Sequence, residues 1–295
     1  MLKIKSLLFG CCQSDATRND DQTLTTQSKR TEQNTGPAPT HETQVEKIAK
    51  LRPEEDKQIP RLRLTPIEGN VIPIGTEFKI TAAGLVEGGR GKKDGITFIG
   101  AQKYIISPGL NEQQLFNDIL LNDATVGDQH CMIKYDPSLR KYLLKDLGEG
   151  SGTFLRIDKE IELKSGYIIS FGDSHMAVTV SDVSAVKTKQ GSKLSLKFLD
   201  GPKTDEIYTF TKDDKTIKVG RMSDCEIRFE GSSLSRYQLT IEYDEDKGWV
   251  VVDGFNGKNS TNGTWLYVEG FYEITDGITV KIGQTLFRIN LIQDG

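Results

Sequence analysis

The chain has 295 residues, with 38 Lys and Arg against 42 Asp and Glu and a formal net charge of −4. That length suits about two domains, and 36% apolar with 27% charged residues suits a globular chain with some polar excess. The charge balance excludes an overall basic, nucleic-acid-binding character. No apolar run approaches the ~18 residues of a spanning helix. Four cysteines are too few for a disulfide framework, and three histidines, none grouped with cysteines, argue against a zinc module.

The N-terminus reads MLKIKSLLFGCC. Its apolar stretch, Ser6 to Phe9, is shorter than the ~7–15 residues of a secretory signal, and the same shortage counts against a lipoprotein box. Leu2 excludes N-myristoylation. Cys11 and Cys12, beside basic and apolar residues, form a candidate S-palmitoylation site, and two acyl chains suffice to hold a soluble protein on a membrane. The competing reading is two incidental thiols. The expected location is intracellular and cytoplasmic, with membrane association if the pair is acylated. Residues 13 to about 60 are rich in Gln, Thr, Asn, Asp and Ser and carry too little apolar surface to offset the entropy of ordering them. Residues 42–51 space Val45, Ile48 and Ala49 as a short marginal helix. Pro60, Pro66 and Pro73 mark an extended approach. Residues 1–75 are expected to form a disordered polar tail.

From about residue 76 short strands follow one another: EFKIT, TFIG, HCMIKYD, KYLLKD, GTFLRI, YIISFG. From about residue 193 the pattern recurs in LSLKFLD, IYTFT, TIKVG, QLTIEYD, WVVVD, GTWLYV, ITVKIG. Many short strands with Gly, Asn and Asp between them predict an all-β, antiparallel sandwich or barrel. The most helical stretch, residues 111–121, reads as an inserted loop with a turn of helix. The halves are an internal repeat. Ile119, Val126, Ile133 and Tyr135-Asp136 match Ile227, Leu234, Ile241 and Tyr243-Asp244 at one offset. After small shifts, Gly152-Thr153-Phe154-Leu155 matches Gly263-Thr264-Trp265-Leu266, and Gly166 and Gly172 match Gly277 and Gly283. The expected division is a domain over 76–182, a linker near 183–192 and a domain over 190–295.

Three segments of the second copy stand out: Gly220-Arg221, Ser235-Arg236-Tyr237-Gln238 and Asn262-Gly263-Thr264. Each borders a strand, so each sits on a loop. Two guanidiniums, a hydroxyl and a side-chain amide supply what a phosphate on a peptide needs: planar paired donors, a compact donor, and a donor-acceptor for peptide backbone. Turn chemistry accounts for Asn262-Gly263 but not for both arginines. With KVGRMSDCEIRF, SLSRYQLTI and STNGTWLYV in this order, residues 190–295 resemble the forkhead-associated (FHA) family. The resemblance implies two eleven-stranded β-sandwiches in tandem and a preference for phosphothreonine. It implies that Arg221, Ser235 and Arg236 hold the phosphate or the peptide near it, and that Asn262 holds the peptide backbone. It further implies that Gly220 and Gly263 shape the loops and that Thr264 supports the site. Gln238 stands where the family usually has His, a supporting position at which an amide can substitute by hydrogen bonding.

The first copy differs. Ala101 stands in the place of Arg221, Gly127 of Ser235, Asp128 of Arg236 and Ser151 of Asn262, while His130 keeps the family's histidine. Both guanidiniums are gone and Asp128 would repel a phosphate. This copy reads as a degenerate FHA domain, either a packing partner or a phosphate-independent surface. The loop Gly88-Gly89-Arg90-Gly91-Lys92-Lys93 fails the P-loop pattern and reads as a solvated hairpin. Cys131 and Cys225 read as small fillers.

Two functions compete: a phosphothreonine-peptide-binding adaptor acting through the second domain, and a phosphate-independent structural or scaffold protein, membrane-tethered if acylated. No HExxH, G-x-S-x-G, kinase or Rossmann signature occurs. No enzyme activity, catalytic residue, metal, cofactor or small-molecule substrate is therefore expected. The expected partners are phosphothreonine-containing proteins and no nucleic acid.

Overall fold

The computed structural model describes residues 59–106, 113–181 and 192–293. Cys11, Cys12, the helical spacing at 45–49 and nearly all of the linker lie outside these residues. Among the described residues there is no α-helix; the chain runs through short strands in four blocks. The first block holds β1 (Arg61–Glu68), β2 (Phe78–Thr81), β3 (Gly84–Leu85), β4 (Ile96–Gly100), β5 (Tyr104–Ile106), β6 (Gln113–Leu115), β7 (Ile119–Leu120), β8 (Cys131–Asp136), β9 (Lys141–Asp146) and β10 (Thr153–Arg156). The second holds β11 (Ile161–Glu162), β12 (Ile168–Phe171) and β13 (Ser174–Ser181). The third runs β14 (Lys193–Asp200), β15 (Ile207–Thr211), β16 (Thr216–Gly220), β17 (Ile227–Arg228), β18 (Leu239–Asp244), β19 (Gly248–Asp253) and β20 (Trp265–Tyr267). The fourth holds β21 (Tyr272–Glu273), β22 (Ile278–Ile282) and β23 (Thr285–Ile292).

Three local readings of the sequence need correction. The polar tail stops short of residue 75, because Arg61–Glu68 is a strand. RLRLTPIE alternates, so Leu62, Leu64 and Pro66 turn inward while Arg63 and Thr65 turn out. Pro66 lies beyond the Leu62–Leu64 pairing with β2 and next to a bulge against β23, where its missing N–H breaks no ladder bond on the β2 side. Residues 113–115 are extended, not helical, because they pair with Tyr104–Ile106. The loop at 88–93 is not merely solvated. The Arg90 side chain is 6% exposed, its Nε lies 2.9 Å from Asp118 Oδ2, and its guanidinium also donates to Asp94 and to the Ile96 carbonyl. Asp118 is a partner distant in sequence, so local composition concealed the pair.

The strands form an eleven-stranded sheet in the order β15-β14-β13-β12-β20-β10-β22-β23-β1-β2-β3, with two five-stranded sheets, β11-β19-β18-β16-β17 and β21-β9-β8-β4-β7. Two β-sandwiches result, joined along the large sheet. Each draws strands from both repeats. β22 and β23, from the second repeat, fill the gap between β10 and β1 of the first. β12 and β13, from the first, fill the gap between β20 and β14 of the second. β21 pairs with β9 and β11 with β19 in the same reciprocal sense. The contiguous ranges 76–182 and 190–295 therefore follow the repeats of the sequence and not the sandwiches. Equivalent strands present the same inward pattern to either partner, so the exchange preserves burial. Leu194, Leu196 and Phe198 join Met176 and Val178 in the core, just as Leu62 and Leu64 join Phe287 and Ile289.

At the centre β10 pairs antiparallel with β20, setting Phe154 opposite Tyr267, Leu155 opposite Leu266 and Arg156 opposite Trp265. Phe154, Leu155 and Arg156 are the repeat equivalents of Trp265, Leu266 and Tyr267. Interchanging the repeats thus maps the pairing onto itself. This is the isologous logic of a two-fold dimer with exchanged strands, here within one chain.

Candidate functional site

Gly220 closes β16 where a loop must approach closely. A Cβ there would meet the Arg236 carbonyl oxygen at 2.4 Å, so only glycine fits. The next N–H, of Arg221, donates to the Ser235 and Arg236 carbonyls at 3.3 and 3.1 Å, and Met222 N–H donates to Arg236 O at 3.2 Å. These bonds join the first segment to the second. Ser235 Oγ accepts from Thr261 N–H at 2.8 Å and lies 3.3 Å from Thr261 Oγ1. That joins the second segment to the third, where Gly263 adopts a φ of +76° and the Asn262 carbonyl accepts from the Trp265 indole at 3.2 Å. All three segments meet in one loop cluster. Arg221, Arg236 and Asn262 are exposed, and neither guanidinium has an ion pair or side-chain hydrogen bond among the described residues.

Beneath the cluster lies a buried polar core. Gln238 Oε1 accepts from Ser235 N–H at 3.3 Å, and its Nε2 donates to Ser260 Oγ at 2.9 Å and to Gly263 O at 3.0 Å. Thr264 Oγ1 and Ser260 Oγ both donate to Asp253 Oδ1, at 2.7 and 2.6 Å. The first repeat repeats this plan with histidine. His130 Nδ1 accepts from Gly127 N–H at 3.1 Å, Nε2 lies 3.0 Å from Gly152 O, and Thr153 Oγ1 donates to Asp146 at 2.8 Å. Gln238 reproduces both bonds of the imidazole. Sequence reasoning did not single out Thr261, Ser260 or Asp253. Their signal was the run Ser260-Thr261 ahead of Asn262-Gly263, and Asp253 at a strand end matching Asp146.

The first repeat keeps the backbone of the site without its charges. Ala101 N–H donates to Gly127 O at 2.9 Å and Gln102 N–H to Asp128 O at 3.3 Å, as Arg221 and Met222 do in the second. A Cβ on Gly127 would lie 2.2 Å from Glu149 Cβ, so the place of Ser235 is already occupied. The Glu149 carboxylate accepts from Gln129 N–H at 2.8 Å. With Asp128 exposed alongside, this end presents acid rather than base.

Other reactive groups have structural settings. Cys131 and Cys225 are buried free thiols whose pKa values burial pushes up, which disfavours the thiolate. Ser170 Oγ lies 2.7 Å from His175 Nδ1. Burial holds His175 below its ordinary pKa, with Asp200 raising it and Lys281 lowering it. Among the described residues no group of His, Cys, Asp and Glu is arranged to hold a metal, and no helix is long and apolar enough to cross a membrane.

The FHA domain family model matches this chain at two places, residues 112–172 and 217–283, as two tandem copies. The second match contains all three segments of the loop cluster. A comparison with curated proteins found no match.

Proposed function

We propose that this chain, with its two tandem FHA copies, is an adaptor that binds phosphothreonine-containing proteins through the second repeat. FHA domains are phosphothreonine-binding interaction modules rather than catalysts. The observation that carries the reading is the pair of exposed, unpaired guanidiniums, Arg221 and Arg236, held beside Ser235 by backbone hydrogen bonds. In this reading the two arginines and Ser235 donate to the phosphate, and Asn262 holds the peptide backbone. A hydrogen bond to a charged group contributes ~1.5–3 kcal/mol, so three supply roughly half or more of the ~8 kcal/mol behind micromolar binding. Flanking peptide contacts supply the rest, so free phosphate binds poorly. The protein acts without a cofactor or a reaction of its own, inside the cell, with Cys11 and Cys12 as its acylation site when it is held at a membrane. The folded but acid-lined first repeat favours a second reading, a scaffold that binds without phosphate.

The test is a titration of the full chain with a degenerate phosphothreonine peptide library and its unphosphorylated twin. Micromolar binding of the phosphorylated set alone, weakened at least about tenfold by Arg236→Ala or Asn262→Ala, supports the reader. No binding by the folded chain supports the scaffold.

A further inference from the structure

The first repeat lacks the charges of the site, yet its central strand reaches the loop cluster of the second repeat. β10 ends beside the Asn262-Gly263-Thr264 turn. Ile157 N–H, one residue beyond β10, donates to the Thr264 carbonyl at 2.9 Å. Arg156 lies opposite Trp265 across β10 and β20, so the two side chains share one face of the sheet. The Arg156 guanidinium carbon is 6.0 Å from the centre of the Trp265 ring, at the outer range of a cation–π contact. A Cβ on Gly263 would lie 3.3 Å from Arg156 Nε and 3.4 Å from Trp265 Nε1, so the turn is seated on both side chains. The Trp265 indole then donates to the Asn262 carbonyl at 3.2 Å.

The mirror arrangement serves the other repeat. Val268 N–H donates to the Thr153 carbonyl at 2.9 Å, and Tyr267, the equivalent of Arg156, packs on Gly152, where a Cβ would lie 2.9 Å from its ring. There the phenol is tied down, donating to Asp146 Oδ1 at 3.0 Å. Arg156 has no such tie: its buried Nε faces Asp158 Oδ1 at 3.3 Å without a hydrogen bond among the described residues. A planar guanidinium against an indole holds that ring in one orientation, which a lysine does not do. We propose that Arg156, from the first repeat, is a positioning residue for the phosphopeptide site of the second. It fixes the Trp265 ring and the Gly263 turn, and through them the direction in which Asn262 offers its amide. The first repeat is then a built-in brace, and the second reads phosphothreonine at full affinity only while β10 stays paired with β20. This inference rests on the phosphothreonine reading above.

Phosphothreonine-peptide affinity is measured on the full chain carrying Arg156→Ala, alone and combined with Asn262→Ala or with Arg236→Ala. Arg156→Ala alone weakens binding about threefold or more. The loss disappears in the Asn262→Ala background, since Arg156 acts through that side chain, and persists beside Arg236→Ala, which acts on the phosphate. Emission of Trp265 in the unliganded chain shifts with the same substitution; the chain has two tryptophans, and the other, Trp249, is 1% exposed. Arg156→Lys keeps the charge and restores only part of the affinity. Should Arg156→Ala fail to fold, Trp265→Phe, which cannot donate to the Asn262 carbonyl, shows the same loss with the same dependence on Asn262. Unchanged affinity in these variants, an equal loss with and without the Asn262 side chain, or full restoration by Arg156→Lys overturns the brace and spares the phosphothreonine reading. Failure of the unaltered chain to bind any phosphothreonine peptide overturns both.

Discussion

Leu155 lies opposite Leu266 at the middle of the eleven-stranded sheet, and the two repeats are related to each other across that pair. Both side chains are buried, and among the described residues their ladder is the one that joins the first block of strands, β1 to β10, directly to the third, β14 to β20. Leu155→Ala should cost about 2–5 kcal/mol. The loss should appear as one shifted transition rather than two, because each sandwich contains strands of the other repeat. Thermal unfolding followed at once by far-ultraviolet dichroism and tryptophan emission checks this.

A fragment of residues 190–295 should not form a closed monomeric sandwich. It lacks β12 and β13, which lie between β20 and β14 in the whole chain. Size-exclusion chromatography with light scattering should show it unfolded, or paired with a second copy through its own β22 and β23.

Gln238→Ala should destabilise the chain by ~1–3 kcal/mol, because Ser235 N–H and the Gly263 carbonyl lose a buried partner. Peptide binding should weaken with it, since the same bonds hold Ser235 and Asn262 in place. Gln238→His should restore most of both losses, given the matching bonds of His130. Melting temperature and peptide Kd, measured together, decide.

Arg90→Ala should be among the most damaging changes outside the hydrophobic core. It leaves the Asp118 carboxylate, 4% exposed, facing Asp94 without its cation, and breaking such a buried pair costs ~3–5 kcal/mol. Asp118 would keep its bonds from the backbone N–H groups of residues 90 and 98 but lose the bond from the guanidinium. Urea denaturation should register the full loss in a region remote from the loop cluster.

His175 gives the chain a stability dependence near neutral pH. Burial holds its folded pKa below the ordinary 6.5, so the unfolded chain takes up the proton first. The stabilisation is complete above that value, declines as pH falls through it, and levels off below the folded pKa. Asp123, Asp136 and Asp276, held low by hydrogen bonds, lose their contributions only in the carboxylate range. Melting temperature should therefore fall as the pH drops through about 6.5, and less so in His175→Gln.

The strands were legible because alternation is local. HCMIKYD, LSLKFLD and TIKVG each declare an inward face regardless of partner, whereas the prolines around β1 disguised RLRLTPIE as a tail. The loop cluster was legible because its residue types are unusual together. Exchange was not legible, since β12 and β22 descend from the same repeat position and satisfy either core equally well. Nor was Glu149 in the place of Ser235, or Asp118 beneath Arg90, because both depend on contacts between loops distant in sequence.

The pairing of β1 with β23 has a consequence for how the protein is made. Arg61 meets Ile292, so the earliest described strand waits on the ribosome for the latest. Until Thr285–Ile292 emerges, β1 and β22 present open edges in the middle of a sheet, where any other nascent strand can pair. Folding dominated by such distant partners is slow. Trimming a few residues from β23 would remove the strand that joins β22 to β1 rather than an outlying end.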